Sequence, residues 1–212
     1  MMTTEDREKV RAAVEKAEAG LTAEIVPCVY DQSSPYPESV WAGAGIGMGL
    51  AVAALLLADR IHPFWTTLSR LILWVPAAGL AGAVLGRWCG PVRRALIGAE
   101  RMETAVARRA KEVFFDCGVS RTSGRDGILI FASLLERRVV VLSDDAVRAR
   151  VAPAAWDAAV AAMTAHAADG RVADGLCAAV EKAAEAMKAA GFAGKPAFGN
   201  ELGDDPLTGD GH

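Results

Sequence analysis

The chain of 212 residues is poor in the residue types that usually announce chemistry. Its three histidines, His62, His166 and His212, are scattered, so sequence neighbours assemble neither a zinc site nor a Ser/His/Asp arrangement. The four cysteines, Cys28, Cys89, Cys117 and Cys177, contain no CxxC pair and read as free thiols in buried or interfacial positions. With two tyrosines and a net charge of −3 there is neither a basic stripe nor an aromatic ladder, which excludes nucleic acid as an expected partner. No Walker A, GxGxxG or DxDx(T/V) pattern follows a strand. The opening MMTTEDREKVRAAVEKAEAG lacks the apolar core of a signal peptide, so an uncleaved N-terminus is expected.

Apolar residues, by contrast, are abundant and concentrated. Mean hydropathy is +0.23, above that of an ordinary soluble protein, and the excess lies in two runs. Val40–Ala58 is uncharged throughout and as a helix would roughly match the ~30 Å hydrocarbon thickness of a bilayer. The second run, Leu71–Gly86, lengthens to 65–86 if Arg70 snorkels toward the interface. Residues 40–86 are therefore expected to form a transmembrane helical hairpin with spans 40–58 and 65–86. Small residues at four-residue spacing, Gly45 and Gly49 in one run and Ala78, Gly82 and Gly86 in the other, would let the helices approach closely. Arg87, Arg93, Arg94 and Arg101 follow the second run, against Arg60 and Arg70 between the two. The positive-inside rule then places both termini in the cytoplasm, Asp59–Pro63 outside, and the protein in the inner (cytoplasmic) membrane.

The remainder reads as one α/β domain split by the hairpin. Residues 1–39 hold an amphipathic helix, with Thr4 as N-cap and Gly20 as stop, then the strand AEIVPCVY, in which Pro27 implies an edge or bulged position. Residues 87–192 continue with a long helical stripe from Val92 to Cys117, a strand pair at Ile128–Ala132 and Val139–Leu142, and helices on either side of Asp169-Gly170. Two strands alone are marginal, so Ala23–Tyr30 is expected as the third. Residues 193–212, rich in Gly, Pro and Asp, read as a flexible C-terminal tail.

Two groups of charged residues carry what chemistry can be read. Asp144 and Asp145 at a strand end, joined by Asp126 ahead of the neighbouring strand, could gather oxygens around a divalent cation such as calcium. An Asp pair after a strand more commonly caps the next helix. Arg121 and Arg125 could attract an anion, although a solvated basic loop is the commoner role, and a cysteine phosphatase loop is excluded because Ser123, not arginine, stands six residues after Cys117. The residues themselves require no cofactor.

Across Thr122–Asp145, TSGRDGILIFASLLERRVVVLSDD, the sequence resembles the TPM domain family, named for a thylakoid lumen protein, a photosystem II repair protein and a nematode receptor modulator. Thr122, Gly124, Gly127, Leu129, Ser133, Leu134, Arg137, Arg138, Val139 and Val141 carry the likeness, with Trp156-Asp157, Gly170–Leu176 and Asn200-Glu201-Leu202 further on. The chain departs from the commoner pattern where its second strand meets Ser143-Asp144-Asp145-Ala146 in place of a Gly-rich turn. The resemblance implies a three-layer αβα sandwich, here with the transmembrane hairpin inserted, and a role assisting a membrane protein complex. Weak acid phosphatase activity and calcium binding are ascribed to some members. The expected function is thus a membrane-anchored accessory or scaffold module acting through protein contacts at the cytoplasmic face of the lipid bilayer. The alternative is a weak metal-assisted acid phosphatase using Asp144 and Asp145.

Overall fold

The computed structural model describes residues 2–61, 68–194 and 201–209. The chain divides into two compact units, Met1–Ser34 with Glu103–His212, and Pro35–Met102.

In the first unit, α1 (Thr4–Glu18) starts from Thr3, whose hydroxyl accepts from the Asp6 amide while the Asp6 carboxylate accepts from the Thr3 amide. This reciprocal cap moves the helix start one residue ahead of the expected Thr4. Strand β1 (Ile25–Tyr30) pairs in parallel with β2 (Ile128–Ser133), and β2 pairs antiparallel with β3 (Arg138–Ser143). A fourth strand, β4 (Leu207–Gly209), runs parallel to β1 on its other side, giving the order β3-β2-β1-β4. The tail expected to be flexible thus contributes a strand, because the edge of β1 offers it backbone partners that its own composition does not advertise.

Alternation along β1 and β2 divides the core into two layers. Ile25, Val29, Ile128 and Ile130 pack with α1, α7 (Asp157–Ala168) and α8 (Val172–Met187), through Val10, Val14, Met163, Leu176 and Val180. Val26, Cys28, Leu129 and Phe131 pack on the other face against Val106, Ala110, Val113 and Phe114 of α5 (Ala99–Asp116). Helices on both faces make a three-layer αβα sandwich. Pro27 is accommodated because odd positions of β1 point their amides away from β2: the Ile25 amide donates to Glu18 and that of Asp31 to the Gly209 carbonyl. The missing donor of Pro27 falls on that outward side, just before the pairing with β4 begins at Cys28.

The second unit holds α2 (Pro37–Ile61), α3 (Leu68–Trp88) and the short α4 (Gly90–Ile97). Gly98, at φ +83°, separates α4 from α5, so the single stripe expected from Val92 to Cys117 is two helices. Both α2 and α3 are long and apolar enough to cross a membrane. Asp59 and Arg60, expected in a turn, still belong to α2, whereas His62, Pro63 and the expected helix start at 65 lie outside the described residues. The two helices run antiparallel in contact, with Ser39 beside Gly86, Gly43 beside Gly82 and Gly47 beside Ala78. A methyl group on Gly43, Gly47, Gly82 or Gly86 would land on a carbonyl of the facing helix. Gly45 and Gly49, the pair expected at this interface, have nothing near them, because residues two positions away lie on a different face of the helix. The buried Ser39 hydroxyl lies 2.9 Å from the carbonyl oxygens of both Tyr36 and Gly86, which ties the start of α2 to the end of α3.

Candidate functional site

The loop Thr122–Gly127 is built from its own backbone. The Thr122 carbonyl accepts from the Arg125 amide at 3.0 Å and its hydroxyl from the Asp126 amide at 3.2 Å, which holds Arg125 at φ +53°. Gly127 enters β2 so close to Val119 that a methyl group there would sit 2.5 Å from the Val119 carbonyl oxygen. These contacts account for Thr122 and Gly127 as structural residues.

From this loop Arg125 reaches the end of β3. One Nη donates to Asp145 Oδ2 at 2.7 Å, and Nε lies 3.2 Å from Asp144 Oδ2 as an ion-pair contact without hydrogen-bond alignment. Asp144 is buried, and its Oδ1 accepts from the Asp145 amide at 2.7 Å, capping α6 (Asp145–Arg148). Asp145 also meets Arg148 at 3.3 Å. The two carboxylates that could have shared a cation therefore share a guanidinium. Burial raises the Asp126 carboxyl above the ordinary aspartate range, opposed by its own backbone and the Thr122 hydroxyl, while Glu201 and Asp144 add repulsion. Among the described residues no three Asp, Glu, His or Cys side chains form a metal-holding group. Arg121 stands exposed in the single 3₁₀ turn Val119–Arg121, and Arg125, which the sequence paired with it as an anion site, is engaged with carboxylates.

A second feature was not visible in the sequence. At the opposite end of the sheet, past the carboxyl ends of β1 and β4, lies a polar cleft of about 330 Å³ lined by Asp6, Arg7, Asp31, Arg171, Asp174 and Thr208 among others. This is where open parallel sheets place their ligands, beside a strand whose two neighbours arrive from different parts of the chain. Arg7 donates to the Thr208 hydroxyl at 2.9 Å, and Arg171 meets Asp169 at 3.2 Å and Asp174 at 3.6 Å. Asp174 also pairs with Lys9 of α1, and the two partners hold its carboxyl below the ordinary range. Charges of both signs line the cleft, with Arg171 and Asp174 paired to each other, an arrangement suited to polar recognition. Desolvation pushes the Cys28 thiol up to about 12 and raises Cys117 and Cys177, which disfavours the thiolate at these three. GRVADGL, at the start of α8, carries a family likeness in the sequence and points to no cleft. Asp31 stands just past the strand AEIVPCVY and Thr208 within the expected tail, and neither is marked out by its sequence neighbours.

Residues 97–186 match the model of the TPM domain family. Over that stretch the chain is similar to the TPM domain family. The match covers α5, the β2-β3 hairpin, α6, α7 and nearly all of α8, so the loop residues Thr122, Gly124 and Gly127 fall within it. Across 99% of this chain and 96% of the other, the fold is similar to the NMR structure of the BA42 protein from the psychrophilic bacterium Bizionia argentinensis, at 16% identity and a TM-score of 0.59. That likeness concerns the fold. No curated protein matches the chain by sequence.

Proposed function

We propose that this protein is a membrane-anchored accessory module, its TPM domain held at the cytoplasmic face of the bilayer by the α2-α3 hairpin and acting there through protein contacts. The observation that carries the reading is the inverted burial of the hairpin. Its buried residues are mostly small, Ser39, Gly43, Gly79 and Gly86 with Leu55, while Leu50, Leu56, Leu57, Ile72, Leu73 and Leu80 are each more than 60% exposed. A soluble helix pair would fold the other way round, and hydrocarbon is the medium that covers such a surface at no cost. Trp41 and Trp88, both exposed, stand at the same end of the antiparallel pair, where an aromatic belt would mark the headgroup level. The arginines after α3 support a cytoplasmic domain. The accessory role is supported by the engagement of Asp144 and Asp145 with Arg125, which occupies the carboxylates that the alternative, a metal-assisted phosphatase, would need for its cation.

The test has two arms on the full chain. After expression, carbonate and high salt should leave the protein in the membrane pellet and detergent should release it; extraction by carbonate would refute the anchor. Purified wild type and the Asp144→Asn/Asp145→Asn variant should show equal, background turnover of an activated phosphoester with magnesium, manganese or calcium. Saturable turnover lost in the double variant would replace the accessory reading with the enzyme.

A further inference from the structure

The sheet ends on two unlike edges. On one side β4 covers β1 from Cys28 onward, and on the other, among the described residues, β3 has β2 as its one neighbour. Two hydrogen bonds fix which way the backbone of β3 points. The Ile128 amide donates to the Glu24 carbonyl, so even positions of β2 face β1, and the Asp144 amide donates to the Gly127 carbonyl, so even positions of β3 face β2. The N–H and C=O groups of Val139, Val141 and Ser143 therefore point away from the sheet. Among the described residues the Ser143 carbonyl alone of these groups has a partner, accepting from the Arg148 guanidinium at 2.8 Å.

Nothing in the strand itself blunts this edge. Its register with β2 runs unbroken from Arg138 to Ser143, without a bulge, and RVVVLS holds neither proline nor lysine. The faces are covered where the edge is bare: Val139 and Val141 pack with the layer of α7 and α8, Val140 and Leu142 pack with that of α5, and the whole strand is half-buried. An apolar strand of this length with outward donors and acceptors is a template for another strand.

We infer that β3 is the contact between two copies of this chain, paired antiparallel about a two-fold axis at Val141, so that two four-stranded sheets become one continuous sheet. A second copy fits because the strand is its own complement. With Val141 opposite Val141 and Val139 opposite Ser143, every outward donor meets an outward acceptor, and sliding one copy by two residues either way takes Val139 or Ser143 out of the ladder. The charges select the same register. Arg137 and Arg138 stand at one end of the apolar run, Asp144 and Asp145 at the other, and pairing about Val141 sets Arg137 opposite Asp145. Arg137 is exposed and forms no ion pair among the described residues. The Asp145 side chain is 64% exposed, and Arg137 of the second copy would join Arg125 and Arg148 around it, while Arg138 and Asp144 keep Glu103 and Arg125. A parallel pairing would instead set arginine beside arginine and aspartate beside aspartate. The two-fold contact closes on itself, since each copy spends its β3 edge once.

Sedimentation equilibrium of the full chain in density-matched detergent micelles tests this. Wild type at a chain concentration of about 50 μM should hold two chains per particle. Val141→Pro removes an outward donor and leaves the β2-β3 ladder whole, and should give single chains with an unchanged circular dichroism spectrum. Arg137→Glu, in an exposed turn, should raise the dimer dissociation constant about 3- to 10-fold, whereas Arg137→Lys should keep it within about twofold. If Val141→Pro loses its helix signal, the two Arg137 variants decide. Single chains in wild type would overturn the proposal. So would a dimer that Val141→Pro and Arg137→Glu leave unchanged, because its contact would lie away from β3.

Discussion

The two units of this chain solve the packing problem in opposite ways. The α/β unit fills its interior with side chains: Phe131, Leu129, Ile130 and Met163 are wholly buried between a sheet and helices on both faces. The hairpin brings its helices together by omitting side chains, and α2 meets α3 through glycines and backbone carbonyls. In water the driving force is removal of apolar surface, so large residues belong inside. Between helices that face lipid, as we propose for this pair, that force vanishes, and close backbone approach takes its place. One chain thus carries two rules for what counts as a core residue.

The comparison can be broken by exchanging the rules. Phe131→Ala in the α/β unit should cost about 3–5 kcal/mol, read as a shift of the urea midpoint, because it removes a buried ring from the layer shared with Val106 and Phe114. An equal truncation on the hairpin, Leu57→Ala, should leave its unfolding in mixed micelles nearly unmoved.

Enlargement should show the reverse order. Gly82→Leu places a side chain on the carbonyl of Gly43 and should destabilise the hairpin by about 1–3 kcal/mol in an SDS titration, whereas Gly45→Leu, with open space around it, should be neutral. Equal losses at Gly82 and Gly45 would show that the helices pack on another face.

A smaller effect sharpens the contrast in charge. Burial pushes the Glu18 carboxyl up to about 8 in the folded chain, whereas unfolded it titrates near the ordinary glutamate value of 4.5. The native state therefore binds more protons across that window, and stability is full below it and falls as pH rises through it. The full shift corresponds to roughly 5 kcal/mol, and partial access of solvent should reduce the loss to about half. Thermal melts of wild type and Glu18→Gln between pH 5 and 9 should diverge in that direction, and parallel curves would exclude Glu18 as the source.

The parts legible in the sequence are those where a local pattern and the tertiary environment agree. The apolar runs of β1 and β2 are buried on both faces of a sheet, and nothing but a strand with two covered faces reads that way. Four-residue glycine spacing announced a close-packed hairpin, but both Gly43/Gly47 and Gly45/Gly49 satisfy it, and the choice of face depends on how α3 lies against α2. Leu207-Thr208-Gly209 has neither length nor alternation and becomes a strand only because the edge of β1 is there. The cleft gathers its lining from five separate stretches, so no spacing along the chain could reveal it. At Asp144 the sequence held both outcomes, a cap or a ligand. The neighbour at hand, Arg125, comes from a loop whose position depends on the pairing of β2 with β3.

The placement of Pro27 bears on how this protein behaves in a crowd. A sheet edge is dangerous when it presents a row of free donors and acceptors to the strands of other molecules, since each added chain then offers the next one a fresh edge. On the outward side of β1 the amide of Ile25 is taken by Glu18, position 27 has no amide to give, and β4 covers the strand from Cys28 onward. A foreign strand arriving at residues 25–27 finds no donor to begin a ladder. The α/β unit can therefore keep an apolar strand close to an edge without that edge seeding polymers.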